Sequence, residues 1–166
     1  QHISDPVLKK MNRKITRREI EATISRVRSQ LPDVAWRTTF IVGFPTETDQ
    51  DFEELVDFVS EGHFQHLGIF LYSDEDNIRS SKFGDPIPIS LKEERKNRLM
   101  EIQQKISREH HQKMVGSLQQ VLVGGFSSET DLLLEGRNQY QGPEVDGVVY
   151  INEGNATSAG FHQVEI

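Results

Sequence analysis

Two short segments of β-forming residues that flank one capped helix place the strongest constraint on the fold of this chain. Residues 36–42 and 67–72 are rich in β-branched and aromatic side chains, which favour strands. Between them, Thr48 precedes a segment, residues 52–59, whose apolar side chains recur at helical spacing. A strand, a helix and a second strand in this order predict two parallel strands that are joined by a right-handed crossover.

Two further helices are predicted on either side of this unit. Thr16 and Glu19 form a capping-box pattern ahead of an apolar stripe. Ser90 and Glu93 form the same pattern at the start of a helix that we extend to about Val115. We expect this last helix to lie on the surface, because only one face is partly apolar and the rest is charged. Its partial apolar stripe consists of Leu91, Leu99, Ile102 and Ile106.

The character of the sequence changes after Gly116. Short alternating or β-branched segments occur at 118–123, 131–136, 147–151 and 161–166, and glycine-rich turns separate them. This pattern predicts a small antiparallel barrel or sandwich. We therefore expect two domains, an α/β domain over residues 1–115 and an all-β domain over residues 116–166. Two strands are too few to close a barrel, so the first domain is either a small open sheet or the later half of a larger α/β domain, and we favour the second.

Composition excludes several classes of protein. The chain has no cysteine, which excludes disulfides, thiolate zinc sites and iron–sulfur ligands within these residues. No apolar segment approaches the roughly 20 residues of a membrane-spanning helix, so we expect no membrane association. The net charge is −7, and residues 117–166 contain seven carboxylates against the single guanidinium of Arg137, a net −6. Such a charge balance argues against a generic nucleic-acid binder.

Two segments contain residues suited to binding a ligand. The sequence Gln-His-Ile-Ser-Asp opens the chain, and Arg13 follows it. Taken alone, Ser4 or Asp5 is a helix N-cap and Arg13 is a solvated cation. The second segment, residues 41–48, joins a strand to a helix, and such loops line the ligand crevice of α/β folds. The histidines show no ligand-like spacing, so we expect no metal site.

The order and spacing of these motifs resemble a known enzyme family. Gln-His-Ile-Ser-Asp, then Leu-Lys-x-Met-x-Arg, then Arg-Thr-Thr-Phe-Ile-Val-Gly-Phe-Pro-x-Glu-Thr are similar to the radical S-adenosylmethionine methylthiotransferases. Residues 67–73, 92–100 and 143–148 resemble the RimO branch, which adds a methylthio group to an aspartate of a small-subunit ribosomal protein. The transfer-RNA branch of the MiaB type is the alternative, and a non-catalytic OB-like binding module is a third interpretation.

The resemblance implies a fold and cofactors. Residues 1–115 would be the second half of a TIM-like radical SAM barrel, and residues 116–166 a TRAM domain, an OB-like barrel cut short after Ile166. S-adenosylmethionine would be bound here. The 4Fe–4S clusters of the full-length enzyme would have their ligands outside this chain, so we expect this segment alone to be inactive. The enzyme would be cytoplasmic.

The resemblance also implies roles for individual residues. Gln1 would contact the ribose of S-adenosylmethionine and Arg13 its carboxylate, since a guanidinium fork suits a carboxylate. Thr39 stands where many relatives have an aspartate that reaches the ribose. The backbone of Tyr72 and Ser73 would meet the adenine.

We expect the partner to be a basic ribosomal protein or the ribosome. Ribosomal proteins are typically basic, and an acidic surface on residues 117–166 would attract one while repelling phosphate. Direct binding to RNA is therefore not expected. Glu144 and Asp146 are the candidate substrate contacts.

Overall fold

The computed structural model describes residues 1–75, 81–157 and 159–166, and they form two compact units. The first unit covers Gln1–Glu109 and the second covers His110–Ile166. The predicted connecting loop, residues 73–89, lies partly outside the described residues. The domain limits at 115 and 116 stay a prediction.

In its described residues, the first unit contains two strands, three whole helices and the larger part of a fourth helix that runs on to Met114. The strands β1, Arg37–Val42, and β2, His66–Leu71, are parallel, with Arg37 opposite His66 and Val42 opposite Leu71. This confirms the predicted strand–helix–strand unit. A 3-10 turn, Ser81–Phe83, follows β2. The helices are α1, Asp5–Lys10; α2, Arg17–Gln30; α3, Asp49–Ser60; and α4, Ile89–Met114.

The capping box predicted at the start of α2 is confirmed, and α3 begins with another one at Thr48. The Thr16 side chain accepts a hydrogen bond from the Glu19 backbone, and the Glu19 carboxylate accepts one from the Thr16 N–H. Thr48 and Asp51 exchange the same pair of bonds at α3. The prediction for α4 is wrong at its start, because the helix begins at Ile89 and Ser90 therefore lies within the first turn.

The core of the first unit lies between α3 and one face of the two strands. Phe40 of β1 makes edge-to-face contacts with Phe58 and Phe64, at ring-centroid distances of 6.3 and 6.1 Å. Leu55 and Leu99 are fully buried beside them. Each such side chain contributes about 1.5–3 kcal/mol through burial. This apolar core fixes the strands, and with them the loops at their ends.

The buried stripe of α4 is mostly polar, which the sequence did not predict. Leu99 is fully buried as expected, whereas Leu91, Ile102 and Ile106 are only partly buried. Three polar residues take the other inward positions at helical spacing, because each finds a partner in the strands or loops beneath the helix. The four inward residues are Lys92, Arg95, Leu99 and Gln103.

The second unit contains a four-stranded antiparallel sheet in the order β5-β4-β3-β6. Val121, Val123 and Ile151 form its small core. Gly136 is required in β4, since a Cβ there would lie 2.6 Å from Cγ1 of Val121. All four predicted strands are present, and closure into a barrel stays a prediction. The strands are β3, Leu118–Phe126; β4, Leu134–Asn138; β5, Val149–Ile151; and β6, Gly160–Glu165.

Across the described ranges, none of the helices combines the length and the apolar character needed to cross a membrane.

Two side chains near the start of the chain tie α1 to the helices that follow. Ser4 is the N-cap residue of α1, one of the two predicted positions, but its hydroxyl donates to the Asp51 carboxylate at the start of α3 and not to its own helix. The Asp5 carboxylate accepts a hydrogen bond of 2.7 Å from the Arg17 N–H at the start of α2. Burial opposes ionisation of Asp51, but hydrogen bonds from Ser4 and Thr48 outweigh it and lower the pKa of Asp51.

We predict that Ser4→Ala destabilises the first unit by about 1.5–3 kcal/mol at pH 7, because a carboxylate loses a buried hydrogen bond. Because the pKa of Asp51 is lower in the folded state than its unfolded value of about 3.9, the Asp51 carboxylate stabilises the fold when the pH is above about 3.9. This contribution is lost as the pH falls through the pKa of the folded state. The difference from wild type should therefore shrink below about pH 4. Urea unfolding followed by fluorescence of Trp36, the single tryptophan, measures it.

Ser29→Ala is the matched control, because the Ser29 hydroxyl donates only to the Arg26 carbonyl on the exposed face of α2. It should change stability little at either pH. An equal loss in both variants, or a Ser4→Ala effect that grows in acid, would contradict the assignment.

Candidate functional site

A pocket of about 420 Å³ lies at the carboxyl ends of β1 and β2. Its volume falls within the range of about 300–1,000 Å³ that is usual for small-molecule sites. In open α/β sheets, ligands bind outside the carboxyl ends of the strands. The strands, the turn after α1 and the start of the chain supply its walls. The pocket is lined by Gln1, Lys10, Met11, Asn12, Ile41, Phe44, Leu71, Tyr72, Ser73 and Glu75.

The turn after α1 brings Arg13 against Gln1. Asn12 has a φ of 60°, a left-handed conformation that asparagine tolerates better than most residues. This reversal lets the Arg13 N–H donate to the Leu8 carbonyl at 2.8 Å. The Nε of Arg13 then donates to Oε1 of Gln1 at 2.9 Å. The Gln1 carbonyl in turn accepts from the Ile41 N–H at 2.9 Å, which fixes this segment beside β1.

Two aromatic residues form the apolar wall of the pocket. Phe44, which follows β1, and Tyr72, which follows β2, meet edge to face with ring centroids 5.3 Å apart. Phe83 also meets Phe44 edge to face, with ring centroids 6.0 Å apart. The Tyr72 N–H donates to the Val42 carbonyl at 2.9 Å, so the parallel pairing continues one residue past β2.

The loop between β1 and α3 is closed by Glu47. One carboxylate oxygen of Glu47 accepts from the Gly43 N–H at 2.8 Å and from the Phe44 N–H at 3.4 Å. The other accepts from Nη1 of Arg95 at 2.7 Å. Nε2 of His2 lies 3.7 Å from the same carboxylate, and both side chains are fully buried. Glu47 thus links the start of the chain, the loop and α4.

The predicted cofactor residues are only partly brought together. Gln1, Tyr72 and Ser73 line the pocket, and Arg13 adjoins it through its bond to Gln1. Thr39 is exposed on the same face of β1 as Ile41, opposite Gly68, and does not line the pocket. Sequence reasoning missed the turn of Lys10 to Asn12, although the Asn at its tip is a turn signal.

The predicted substrate residues Glu144 and Asp146 lie together in the second unit, beside a smaller cavity of about 350 Å³. Glu144 is exposed and has a φ of 63°. Asp146 is half-buried, and its carboxylate accepts from the Gly142 N–H at 2.7 Å. Asp146 therefore stabilises its own turn, and Glu144 is the freer of the two to meet a partner.

Neither unit contains a metal-like cluster within the described ranges, where no three His, Asp or Glu side chains converge. Another surface groove runs along α2, lined in part by Lys14, Glu19 and Arg26. It has no strand end or buried polar group, so the pocket at β1 and β2 is the better candidate site. With an amide, a hydroxyl and aromatic faces in its lining, and the guanidinium of Arg13 beside it, this pocket suits a ligand that carries a ring and a carboxylate.

Comparison with known families matches both units. Residues 1–59 match the radical SAM superfamily, and residues 115–166 match the TRAM domain. The pocket therefore draws Gln1, Lys10 and Phe44 from the first matched segment, and Tyr72 and Ser73 from beyond it.

The chain is similar over its whole length to curated proteins named ribosomal protein uS12 methylthiotransferase RimO. One from Bdellovibrio bacteriovorus is 50% identical over 166 residues, which cover 100% of this chain and 36% of that protein. One from Geobacter sulfurreducens is 45% identical over 166 residues, 37% of its length. One from Aquifex aeolicus is 44% identical over 160 residues, 96% of this chain and 37% of that protein. The chain spans little more than a third of these relatives.

We predict that Arg95→Met destabilises the first unit by about 3–5 kcal/mol, because it leaves the buried Glu47 carboxylate without its cation. Arg98→Met is the matched control. Arg98 also extends from α4 to a carboxylate of α3, that of Glu53, and it also stacks on Phe52. The Arg98 and Glu53 side chains, however, are each about half exposed. Exposed pairs add little, so its effect should be much smaller. Urea unfolding monitored at Trp36 compares them, and equal losses would contradict the role of Glu47.

Proposed function

We propose that this chain, which belongs to the RimO family of radical SAM methylthiotransferases, is the part of a longer enzyme that binds S-adenosylmethionine beside a ribosomal-protein substrate. The enzyme would transfer a methylthio group to an aspartate of ribosomal protein uS12. The observation that carries this proposal is the 50% identity, over all 166 residues, to a protein of that name. The first unit would supply half of a TIM-like barrel, and the second an OB-like TRAM barrel, in a cytoplasmic enzyme.

The residues of the pocket fit S-adenosylmethionine. Arg13 forms no ion pair with any carboxylate in the described part of the chain, so its guanidinium is available to a carboxylate ligand. Gln1 would meet a ribose hydroxyl, and the backbone of Tyr72 and Ser73 would meet the adenine edge. Thr39 would contribute only at the margin, since it lies outside the pocket lining.

The cofactors divide between this chain and the rest of the enzyme. When bound, S-adenosylmethionine and 4Fe–4S clusters supply the radical chemistry, while the protein binds and orients the reactants. The chain has no cysteine, so the cluster ligands would lie outside it. The task of these residues is to hold the carboxylate, ribose and adenine in place, and to exclude water with the Phe44–Tyr72 wall.

The acidic second unit would dock the basic substrate. Glu144 projects from a turn that Asp146 holds in place, and the unit carries net −6 from residue 117 onward. Negative charge within about 8 Å, the screening length at physiological salt, would attract a basic protein and repel phosphate. This favours a ribosomal protein over transfer RNA, the substrate of the alternative branch.

We predict that Arg13→Ala in the full-length enzyme weakens S-adenosylmethionine binding by about tenfold to a hundredfold, because a charge-assisted hydrogen bond is lost. Arg13→Lys should recover only part, since lysine lacks the planar fork. Arg18→Ala, which removes an exposed cation of α2 outside the pocket, is the control and should bind normally. Equilibrium dialysis measures the dissociation constant, and an unchanged value for Arg13→Ala would refute the assignment.

We also predict that Glu144→Lys weakens binding of uS12 by about threefold to tenfold and makes it less sensitive to salt, because an attractive charge becomes repulsive. Glu153→Lys makes the same change at another exposed site of the second unit and should have a smaller effect. Titrations at two salt concentrations, with uS12 and with transfer RNA, measure this. Tighter binding to transfer RNA, or equal effects of both variants, would contradict the proposal.

A further inference from the structure

We propose that Lys92 is a positioning residue for the cofactor pocket: its buried ammonium fixes the backbone at the end of β2, where Tyr72 and Ser73 line the pocket. Lys92 lies on the inward face of α4 and does not itself line the pocket. The inference rests on the proposed function, because it assumes that this pocket holds S-adenosylmethionine.

The ammonium of Lys92 is buried and has two partners. The residue is 1% exposed, although lysine is among the residues least often buried. Nζ donates to the Tyr72 carbonyl at 2.8 Å and to the Asp85 carboxylate at 2.5 Å. Nζ also lies 5.4 Å from the centroid of the Tyr72 ring. The charge thus holds both the backbone and the ring of the residue that forms one wall of the pocket.

The path of the Lys92 side chain depends on Gly43 at the end of β1. A Cβ at Gly43 would lie 2.4 Å from Cγ and 2.8 Å from Cδ of Lys92, so any larger residue would displace the lysine stem. Gly43 also has a φ of 76°, which favours glycine. The Lys92 side chain therefore crosses the end of β1 to reach the end of β2. It contacts both of the strand ends that border the pocket.

A second polar residue of α4, Gln103, holds the opposite end of β2. It serves as a control that distinguishes an effect on the pocket from an effect on stability alone. The side-chain amide of Gln103 donates to the carbonyls of Phe64 and Gln65, at 3.2 and 3.0 Å, just before β2 begins. Gln103 is buried, like Lys92, and it lies about 16 Å further along the helix. Both residues join α4 to the backbone next to β2, but only Lys92 does so at the pocket.

The test compares Lys92→Met with Gln103→Met in the full-length holoenzyme. Each variant keeps an unbranched side chain and loses its donors to the backbone, so both should lower the melting temperature. Only Lys92→Met should also weaken S-adenosylmethionine binding, by about fivefold to twentyfold in equilibrium dialysis, because only it releases Tyr72. Lys92→Arg, which keeps a cationic donor, should recover part of the affinity.

Unchanged affinity in Lys92→Met, or an equal loss in Gln103→Met, would overturn the inference. If Lys92→Met does not fold, Asp85→Asn tests the same anchor from its partly exposed side and should weaken binding by a smaller factor; unchanged affinity there would also overturn it. Measuring Arg13→Ala in the same assay distinguishes the positioning role of Lys92 from the proposed cofactor site. Loss with Arg13→Ala but not with Lys92→Met refutes the positioning role alone, and no loss with either refutes the cofactor site.

Discussion

The buried ion pair between Glu47 and Arg95 is the contact on which the candidate site depends. A carboxylate in an apolar interior is strongly disfavoured unless it is paired and hydrogen-bonded. Arg95 supplies the charge, and the Gly43 and Phe44 N–H groups supply hydrogen bonds. The loop after β1 therefore cannot move away from α4 without breaking the ion pair and the hydrogen bonds of Glu47. These contacts fix the position of Phe44, which forms one wall of the pocket.

Other buried polar side chains near this ion pair position the rest of the pocket. His2 lies against Glu47 and places the first residues of the chain beside β1, so that Gln1 reaches the pocket. Lys92, three residues before Arg95 on the same face of α4, holds the end of β2. A helix with a polar inward stripe therefore supports both strand ends, while the apolar core lies between α3 and the strands.

Local signals in the sequence predicted most of the helices and strands, and long-range partners account for the contacts that they missed. The capping box at Thr16 acts within four residues, so the sequence alone reveals it, and Thr48 marks the start of α3 in the same local way. The inward face of α4 could not be read from apolar spacing, because the Glu47 carboxylate that Arg95 binds lies 48 residues away and the Tyr72 carbonyl that Lys92 binds lies 20 residues away. Arg13 was placed near Gln1 by family resemblance, and the left-handed turn at Asn12 explains how it arrives there. Thr39 shares a strand with the pocket but lies beyond its lining.

Hydrogen exchange in the full-length holoenzyme, with and without S-adenosylmethionine, tests most directly whether the ends of β1 and β2 form the cofactor site. The account predicts slower exchange of backbone amides in residues 41–44 and 72–75 when the cofactor is added, with no change along the surface groove of α2 that Glu19 and Arg26 line. Protection of that groove with none at the strand ends would contradict it.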